Sequence, residues 1–406
     1  MANINGTAGN DTINDSSAED LIGGLAGDDS ITLGADGKKD AVLAGDGNDS
    51  VYLAVGAGAS EIYFGNGNDF LVAPASTGSS TVGGGAGSDS ITTGDAADVV
   101  YGGTENDTLD GDAGNDTLWG GDGDDSIDGG TGSDMIYGGA GKDTINGGDD
   151  ADTIGGGAGN DVIAGDGGND VITAGDGDDI VTGGAGNNVI YGGAGKDTLT
   201  GGADADTIGG GDGDDVMVGG TGANIVYGGA GNDTYTGGAD ADTAYGGAGN
   251  DNIALAAGAN LGYGGDGNDS ITAGVGNDTI GGGAGNDTIV TGDGANTVYS
   301  GGDAAADSVV GGLGADVFYG GDLDTITGGG GTDIFDFRTG GNLADSVLAV
   351  VTDFNTAGAD KLIVTTNAPV TQVVGGNIRV DIDADGNYDV ELTGVTTFTA
   401  ADYIVV

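Results

Sequence analysis

"GNDTIGGGAGNDTI", residues 276–289, carries one phrase twice, and the two copies of its aspartate, Asp278 and Asp287, lie nine residues apart. Each aspartate is followed two positions on by an isoleucine, Ile280 and Ile289, and glycines fill most of the space between. Reading outward in both directions, the same slot returns every nine residues from Asp116 to Asn296, twenty steps without a break. The unit is G-G-x-G-x-D-x-U-x, with U aliphatic as in Leu118, Ile127, Ile136 and Ile145. Self-similarity at a fixed period marks a repeat architecture and decides the fold before any local propensity does.

Glycine reaches positive φ without the steric cost other residues meet, so each unit reads as a turn of about six residues. A strand of about three residues follows, with its aliphatic side chain turned inward. Helices of useful length do not survive this glycine density. Two units bring the chain once around, so a coil holds 18 residues and stacks on the next as parallel strands about 4.8 Å apart. The expected fold is all-β, a parallel β-roll solenoid of about 18 coils with a small C-terminal β cap, giving a rod about 85 Å long.

Composition narrows the partners. Of 406 residues, 97 are glycine, and 66 Asp and Glu face 7 Lys and Arg, for a formal net charge of -59. Apolar residues make up 37% and recur at regular places, which argues against a disordered linker. The cations Lys38, Lys39, Lys142, Lys196, Arg338, Lys361 and Arg379 are scattered, so nucleic acid and anionic membrane are repelled. Histidine and cysteine are absent, which removes disulfides, thiol nucleophiles, imidazole bases and soft-ligand metal sites. Oxygen is the metal-binding chemistry that remains. The opening "MANINGTAGNDTINDS" reads as no Sec-type signal, and no apolar run is long enough to span a bilayer.

The nonapeptide closely resembles the RTX, or haemolysin-type calcium-binding, repeat family over roughly residues 5–337. The resemblance implies a β-roll whose turn aspartates hold many Ca2+ ions. Calcium takes six to eight hard oxygens, from carboxylates and backbone carbonyls, and aspartates 18 residues apart stack one strand spacing from each other. Without the ion, each adjacent pair costs on the order of 1 kcal/mol even in a water-like dielectric. The metal-free chain is therefore expected to be expanded, and calcium binding to be the folding step.

Alternate slots form two columns, one along each edge of the roll. The first runs Asp11, Asp29, Asp49, Asp69, Asp89, Asp107, Asp125, Asp143, Asp161, Asp179, Asp197, Asp215, Asp233, Asp251, Asp269 and Asp287, with no substitution. Continuous calcium is expected there. The second holds Asp116, Asp134, Asp152 and Asp170, then alternates: Asn188, Asp206, Asn224, Asp242, Asn260, Asp278, Asn296. Its turns also lose consensus glycines, as in "GGADAD" (201–206), so calcium there should be sparser or weaker.

Three stretches divide the chain: irregular coils over 1–89, the regular roll over 90–333, and a capping, secretion-signal-like module over 334–406. In the first, slot spacing alternates between 9 and 11 (Asp29 to Asp40, Asp49 to Ser60, Asp69 to Ser80), and the extra residues fall in the second column's turns. One edge without metal is the expectation, a local change of fold the alternative. In the last, "NIRVDIDADGNYDVELTGV" (377–395) suits a hairpin turning at Asp385-Gly386. Asp381, Asp383 and Asp385 are spaced like the start of an EF-hand loop, but its twelfth position is Leu392 and Glu391 is one residue early, so the hairpin is favoured. The segments "VVTDFNTAGADKL" and "TAADYIVV" resemble the C-terminal ends of RTX proteins exported by type I secretion, implying a secreted protein.

Tyr101, Trp119, Tyr137, Tyr191, Tyr227, Tyr245, Tyr263 and Tyr299 keep the 18-residue coil period and should form one outward stripe, either as ring-on-ring support or as a lateral contact surface. G-x-G-x-x-G matches occur throughout but open no helix, so dinucleotide binding is excluded. The carboxylates repeat identically and no pocket-forming domain stands outside the roll, so an enzyme is not expected. The leading expectation is a secreted calcium-binding structural protein of a bacterial cell surface, a surface-layer or coat subunit that self-associates into a lattice or filament. A calcium-dependent adhesin or biofilm-matrix spacer is the alternative. Ice binding is disfavoured: the third turn position carries threonine at Thr104, Thr131 and Thr221 alone, and the threonines at position seven (Thr117, Thr144, Thr153, Thr198, Thr207) are interrupted.

Overall fold

Strand after strand enters on a buried aspartate and carries one buried aliphatic residue, because side chains on an extended chain alternate between faces. In Thr144–Asp149 the pattern is exposed, buried, half-buried, buried, with Ile145 inside. The structure, a computed structural model, describes residues 3–15, 19–35, 37–73, 78–301, 305–321, 323–340, 349–355, 360–364, 370–374, 377–381, 388–395 and 397–405. It forms two compact units, Met1–Ala203 and Asp204–Val406.

In the first unit, consecutive strands alternate between two parallel sheets. Val99–Thr104 pairs with Thr117–Asp122, and that strand with Met135–Ala140, each step shifting the register by 18 residues (Val100↔Leu118, Leu118↔Ile136). In the facing sheet Ser126–Thr131 pairs with Thr144–Asp149 and then with Val162–Gly167 (Ile127↔Ile145↔Ile163). Val100, Leu118 and Ile136 from one side, and Ile127, Ile145 and Ile163 from the other, are buried as the core. Near the N-terminus the coils hold 20 residues, with Ile22 opposite Val42 and Val42 opposite Ile62. These longer coils pair within the same two sheets, so the extra residues do not change the fold.

The glycines are steric requirements at definite places. Gly139 has φ +124, and a Cβ on it would stand 2.0 Å from the carbonyl oxygen of Gly121 in the preceding coil. No side chain fits between coils stacked at the spacing of a β-sheet.

The second unit continues the pattern from Thr207–Asp212 through Ile225–Ala230, Thr243–Ala248, Leu261–Asp266 and Thr279–Ala284. Beyond Asn296 the register step becomes 20, then 17 (Thr297↔Val317, Val317↔Ile334). There the core becomes aromatic: Phe318 stacks on Phe335 at 5.3 Å, Phe335 meets Phe354 at 5.8 Å, and Phe354 meets Phe398 at 6.1 Å. Asn377–Asp381 pairs antiparallel with Val390–Leu392, the expected hairpin, and the latter lies parallel to Ala349–Val351. Asp383, Asp385 and Gly386, and the side chain of Asp381, lie outside the described residues. Glu391 accepts hydrogen bonds from Arg379 Nε at 2.8 Å and Asn377 Nδ2 at 2.9 Å, which hold its carboxyl below the usual range. It therefore braces the hairpin.

Candidate metal sites

All nineteen candidate ligands from Asp89 to Asp287 are buried, each at most 3% exposed. Burying so many carboxylates requires partners for them. One oxygen of most of them has a partner in the neighbouring coil. In the first unit, the backbone N–H of Asp125 donates to Asp143 Oδ1 at 2.9 Å, that of Asp143 to Asp161 at 2.9 Å, and that of Asp161 to Asp179 at 2.7 Å. The second column does the same, Asp116 to Asp134 at 2.7 Å and Asp134 to Asp152 at 2.8 Å. In the second unit the ladder runs through Asp215, Asp233, Asp251 and Asp269 at 2.8 Å per step.

The other oxygen often has none, although Asp242 Oδ2 accepts the Gly238 N–H at 3.0 Å. Oδ2 of Asp134, Asp143, Asp152 and Asp161, and of Asp233, Asp251 and Asp269 in the second unit, is buried without a hydrogen-bond donor. The asparagine slots reveal what it faces. Asn224 uses Oδ1 as its neighbours do, accepting from Asp206 at 2.9 Å, while its Nδ2 donates to the turn carbonyl of Gly222 at 3.0 Å. Asn296 likewise donates to Gly292 O at 3.2 Å. Where the slot is aspartate, an acceptor oxygen takes the place of that amide nitrogen, against turn carbonyls that are also acceptors. Glycine keeps the corner open: a Cβ on Gly138 would lie 2.3 Å from Asp143 Oδ2 and 2.6 Å from Gly156 O.

A corner lined by oxygens and lacking a donor demands a proton or a cation. Burial, only partly offset by the N–H bond and reinforced by neighbouring carboxylates, pushes Asp107 and Asp134 up to about 7. The same causes push Asp143, Asp152 and Asp233 up to about 6. Among the described residues no three acidic side chains converge on one point. Each corner therefore offers a carboxylate oxygen together with backbone carbonyls, a donor set that fits a hard cation such as calcium.

Several slots escaped the nine-residue count. Asp98 precedes Asp116 in the second column, its N–H donating to Asp116 Oδ1 at 2.7 Å. Past Asn296 that column continues through Asp316 and Asp333 to Asp360, and the first continues from Asp287 through Asp307 to Asp324. Ser60 and Ser80 occupy the second column near the N-terminus, the Ser60 N–H donating to Ser80 Oγ at 3.3 Å, so a hydroxyl stands where other coils bring a carboxylate. A second, outer ladder was missed altogether. Where Asn or Asp precedes a slot, its Oδ1 can accept the N–H of its counterpart in the next coil, as Asp124 Oδ1 does from Lys142 at 2.8 Å and Asn250 Oδ1 from Asn268 at 2.7 Å. The recurrent Asn or Asp before the slot was its signal.

Compared with known proteins, the chain matches the family described as RTX calcium-binding nonapeptide repeat (4 copies) over residues 3–31, 75–208, 209–262, 263–298 and 301–344, in overlapping stretches. No curated protein matches it. Among solved structures it is similar to a hyperactive, Ca2+-dependent, beta-helical antifreeze protein from an Antarctic bacterium. The identity is 19%, over 80% of this chain and 83% of that one, with a TM-score of 0.21.

Proposed function

The chain belongs to the RTX calcium-binding nonapeptide repeat family, and from that premise we propose that it is a secreted structural protein of a bacterial cell surface, a coat or surface-layer subunit that folds and assembles on binding calcium. One observation carries the reading: coil after coil, a buried aspartate has one oxygen held by its neighbour and the other, as at Asp143, Asp161 and Asp251, without a donor. The aspartate slots of both columns would hold calcium, the all-aspartate column without interruption. The bound ion would supply positive charge where the protein supplies none. In the second column Asn224 and Asn296 meet turn carbonyls with their own amides, which leaves those turns with less need of an ion.

The reading assigns no catalytic residue and makes the coil the working part. Calcium is scarce in cytosol and abundant outside cells, so a chain exported unfolded would lock after release. Electron microscopy of the purified protein before and after millimolar calcium tests this. Ordered sheets or filaments that form only with calcium are the expected result; discrete particles that never associate would replace the coat subunit with an adhesin or spacer.

A second reading, ice binding, draws on one feature. Serine and threonine stand two residues apart on one face of a strand at Ser30 and Thr32, Ser90 and Thr92, and Thr198 and Thr200. Val162, Ala164 and Ile180 interrupt them. Thermal hysteresis in millimolar calcium would favour this reading over assembly.

A further inference from the structure

The aromatic stripe is a ladder with rungs missing. Tyr101 stacks on Trp119 at 4.6 Å and Trp119 on Tyr137 at 6.0 Å, nearly parallel at 2° and 12°. In the second unit Tyr227, Tyr245 and Tyr263 stack at 5.2 and 5.6 Å. Stacked rings hide their faces in one another and offer solvent only their edges. Stacks end beside Gly155, next to Tyr137, and beside Gly209, next to Tyr227, and in each unit a glycine also stands between two rings. Gly83 sits in register between Tyr63 and Tyr101, and Gly281 between Tyr263 and Tyr299. At Gly83 the result is a notch of about 320 Å³ walled by Tyr63 and Tyr101 and floored by glycine.

Each interval spans two strand spacings, about 9.6 Å; at Gly281 the Tyr263 ring leans close over the glycine, while at Gly83 the Tyr63 ring stands farther off. The ladder itself shows what fits, since Trp119 fills the same interval between Tyr101 and Tyr137. The first and third residues of these strands, which carry the stripe, bear no charge from Thr81–Ala86 to Val189–Ala194. The same holds in the second unit from Thr207–Asp212 to Val317–Gly321. On a chain of net charge -59, an uncharged strip is where another equally acidic molecule can approach without setting carboxylates face to face. The Gly83 notch is lined by rings, Phe64 and glycines and by no charged side chain, the nearest charge in the row being Glu61, two residues before Tyr63 and in register with Thr81.

We propose that this strip is the contact between copies of the chain, with aromatic rings of one copy entering the Gly83 and Gly281 gaps of another. The inference rests on the assembly reading above and names its surface. The ring spacing suits it, because rings stand at the coil interval and a ring inserted between two others completes a stack on both sides.

The test fills the gaps from within. Gly83→Tyr with Gly281→Tyr should extend each copy's own stack; a Cβ at these sites meets the edge of a tyrosine ring, at 3.3 Å for Tyr63 and 2.6 Å for Tyr263. Ala164→Tyr, on the opposite sheet, is the control. Circular dichroism reports calcium-induced folding and sedimentation velocity in millimolar calcium reports assembly. The expected result is normal folding in all variants, with the assembly concentration raised about tenfold or more in the filled variant alone. Tyr101→Ser, which removes a wall and adds no bulk, should give the same loss and stands in if the filled variant does not fold. A folded, filled variant that assembles like the parent overturns the inference and leaves the coat reading standing. A parent that stays monomeric overturns both; if it is also retained on insoluble neutral polysaccharide through the open gaps, the occupant is a glycan.

Discussion

Asp143 performs two tasks that two substitutions can separate. Its Oδ1 accepts the N–H of Asp125 at 2.9 Å, and its Oδ2 is buried without a donor. Asp143→Ala removes both oxygens and leaves the Asp125 amide buried without an acceptor, a loss of about 1–3 kcal/mol. Asp143→Asn keeps the first oxygen and replaces the second with an amide, the arrangement Asn224 already adopts, accepting at 2.9 Å and donating to Gly222 at 3.0 Å. Its cost depends on the ion. In chelator near about pH 5, where a carboxyl pushed up to about 6 is mostly protonated, asparagine closely imitates the acid and the change should be near neutral.

In calcium the order changes. A site filled at one hundred times its Kd contributes about 2.7 kcal/mol, and either substitution forfeits one such site. Asparagine should therefore fall below the parent only in calcium, while alanine falls below it in both buffers. Hydrogen exchange of the coils flanking residue 143 is the assay, because a solenoid loses stability locally and a single global midpoint would dilute the effect. Equal loss for both variants in chelator would refute the ladder role of Oδ1. Parent-like protection for the asparagine variant in calcium would refute the cation role of Oδ2.

Calcium-free protein should grow more ordered as pH falls. Burial raises Asp69, Asp107, Asp116 and Asp134 from 3.8 to about 7, so their contribution is fully present below the unfolded value and lost as pH rises through about 7; circular dichroism in chelator from pH 8 downward checks it, and order that falls on acidification would contradict it. Gly138→Ala places a Cβ against Asp143 Oδ2 and Gly156 O, so thermal melting in calcium should show a loss of about 1–3 kcal/mol, whereas Gly83→Ala, which meets only a ring edge at 3.3 Å, should melt close to the parent. Asn224→Asp exchanges an amide that donates to Gly222 for an oxygen that cannot; isothermal titration should find one more calcium per chain, and an unchanged stoichiometry would show that turn closed to the ion for another reason.

The coil, its 18-residue step and its inward aliphatic column were legible because a sequence period becomes a spatial period directly. The division of labour within a carboxyl was not. Asp143 and Asn224 differ in sequence by one atom's chemistry, and only the stacking of the next coil shows that both use Oδ1 identically and differ at the second position. The columns past Asn296 were lost to the count because register steps of 20 and 17 replace 18, while the sheets still bring Asp316 and Asp333 into line. The aromatic core near the C-terminus was hidden for a related reason: Phe318, Phe335, Phe354 and Phe398 meet through packing, with no period to announce them.

The ladders also have a direction, and their ends show how each column closes. Slot N–H groups bond a side-chain oxygen of the slot residue in the following coil, so a coil depends on the one after it and the last must be completed otherwise. The first column ends at Asp324, whose Oδ1 accepts from Asp307 at 3.1 Å and whose Oδ2 accepts from both Gly321 N–H and Ser300 Oγ at 2.6 Å. The second ends at Asp360, with Oδ1 accepting from Asp333 at 3.1 Å and Oδ2 from Asn355 N–H at 2.8 Å. Asp316, inside its column, still has a buried oxygen without a donor. Both columns thus terminate in an aspartate whose two oxygens are met by the protein itself, with donors from the roll at Asp324 and, at Asp360, from Asn355 of the C-terminal stretch as well. A terminal carboxylate left half-satisfied would face an ion with no further coil to enclose it; one fully bonded to its own chain closes the column without metal. The C-terminal stretch therefore supplies the closing donor of the second ladder, while the first closes within the roll.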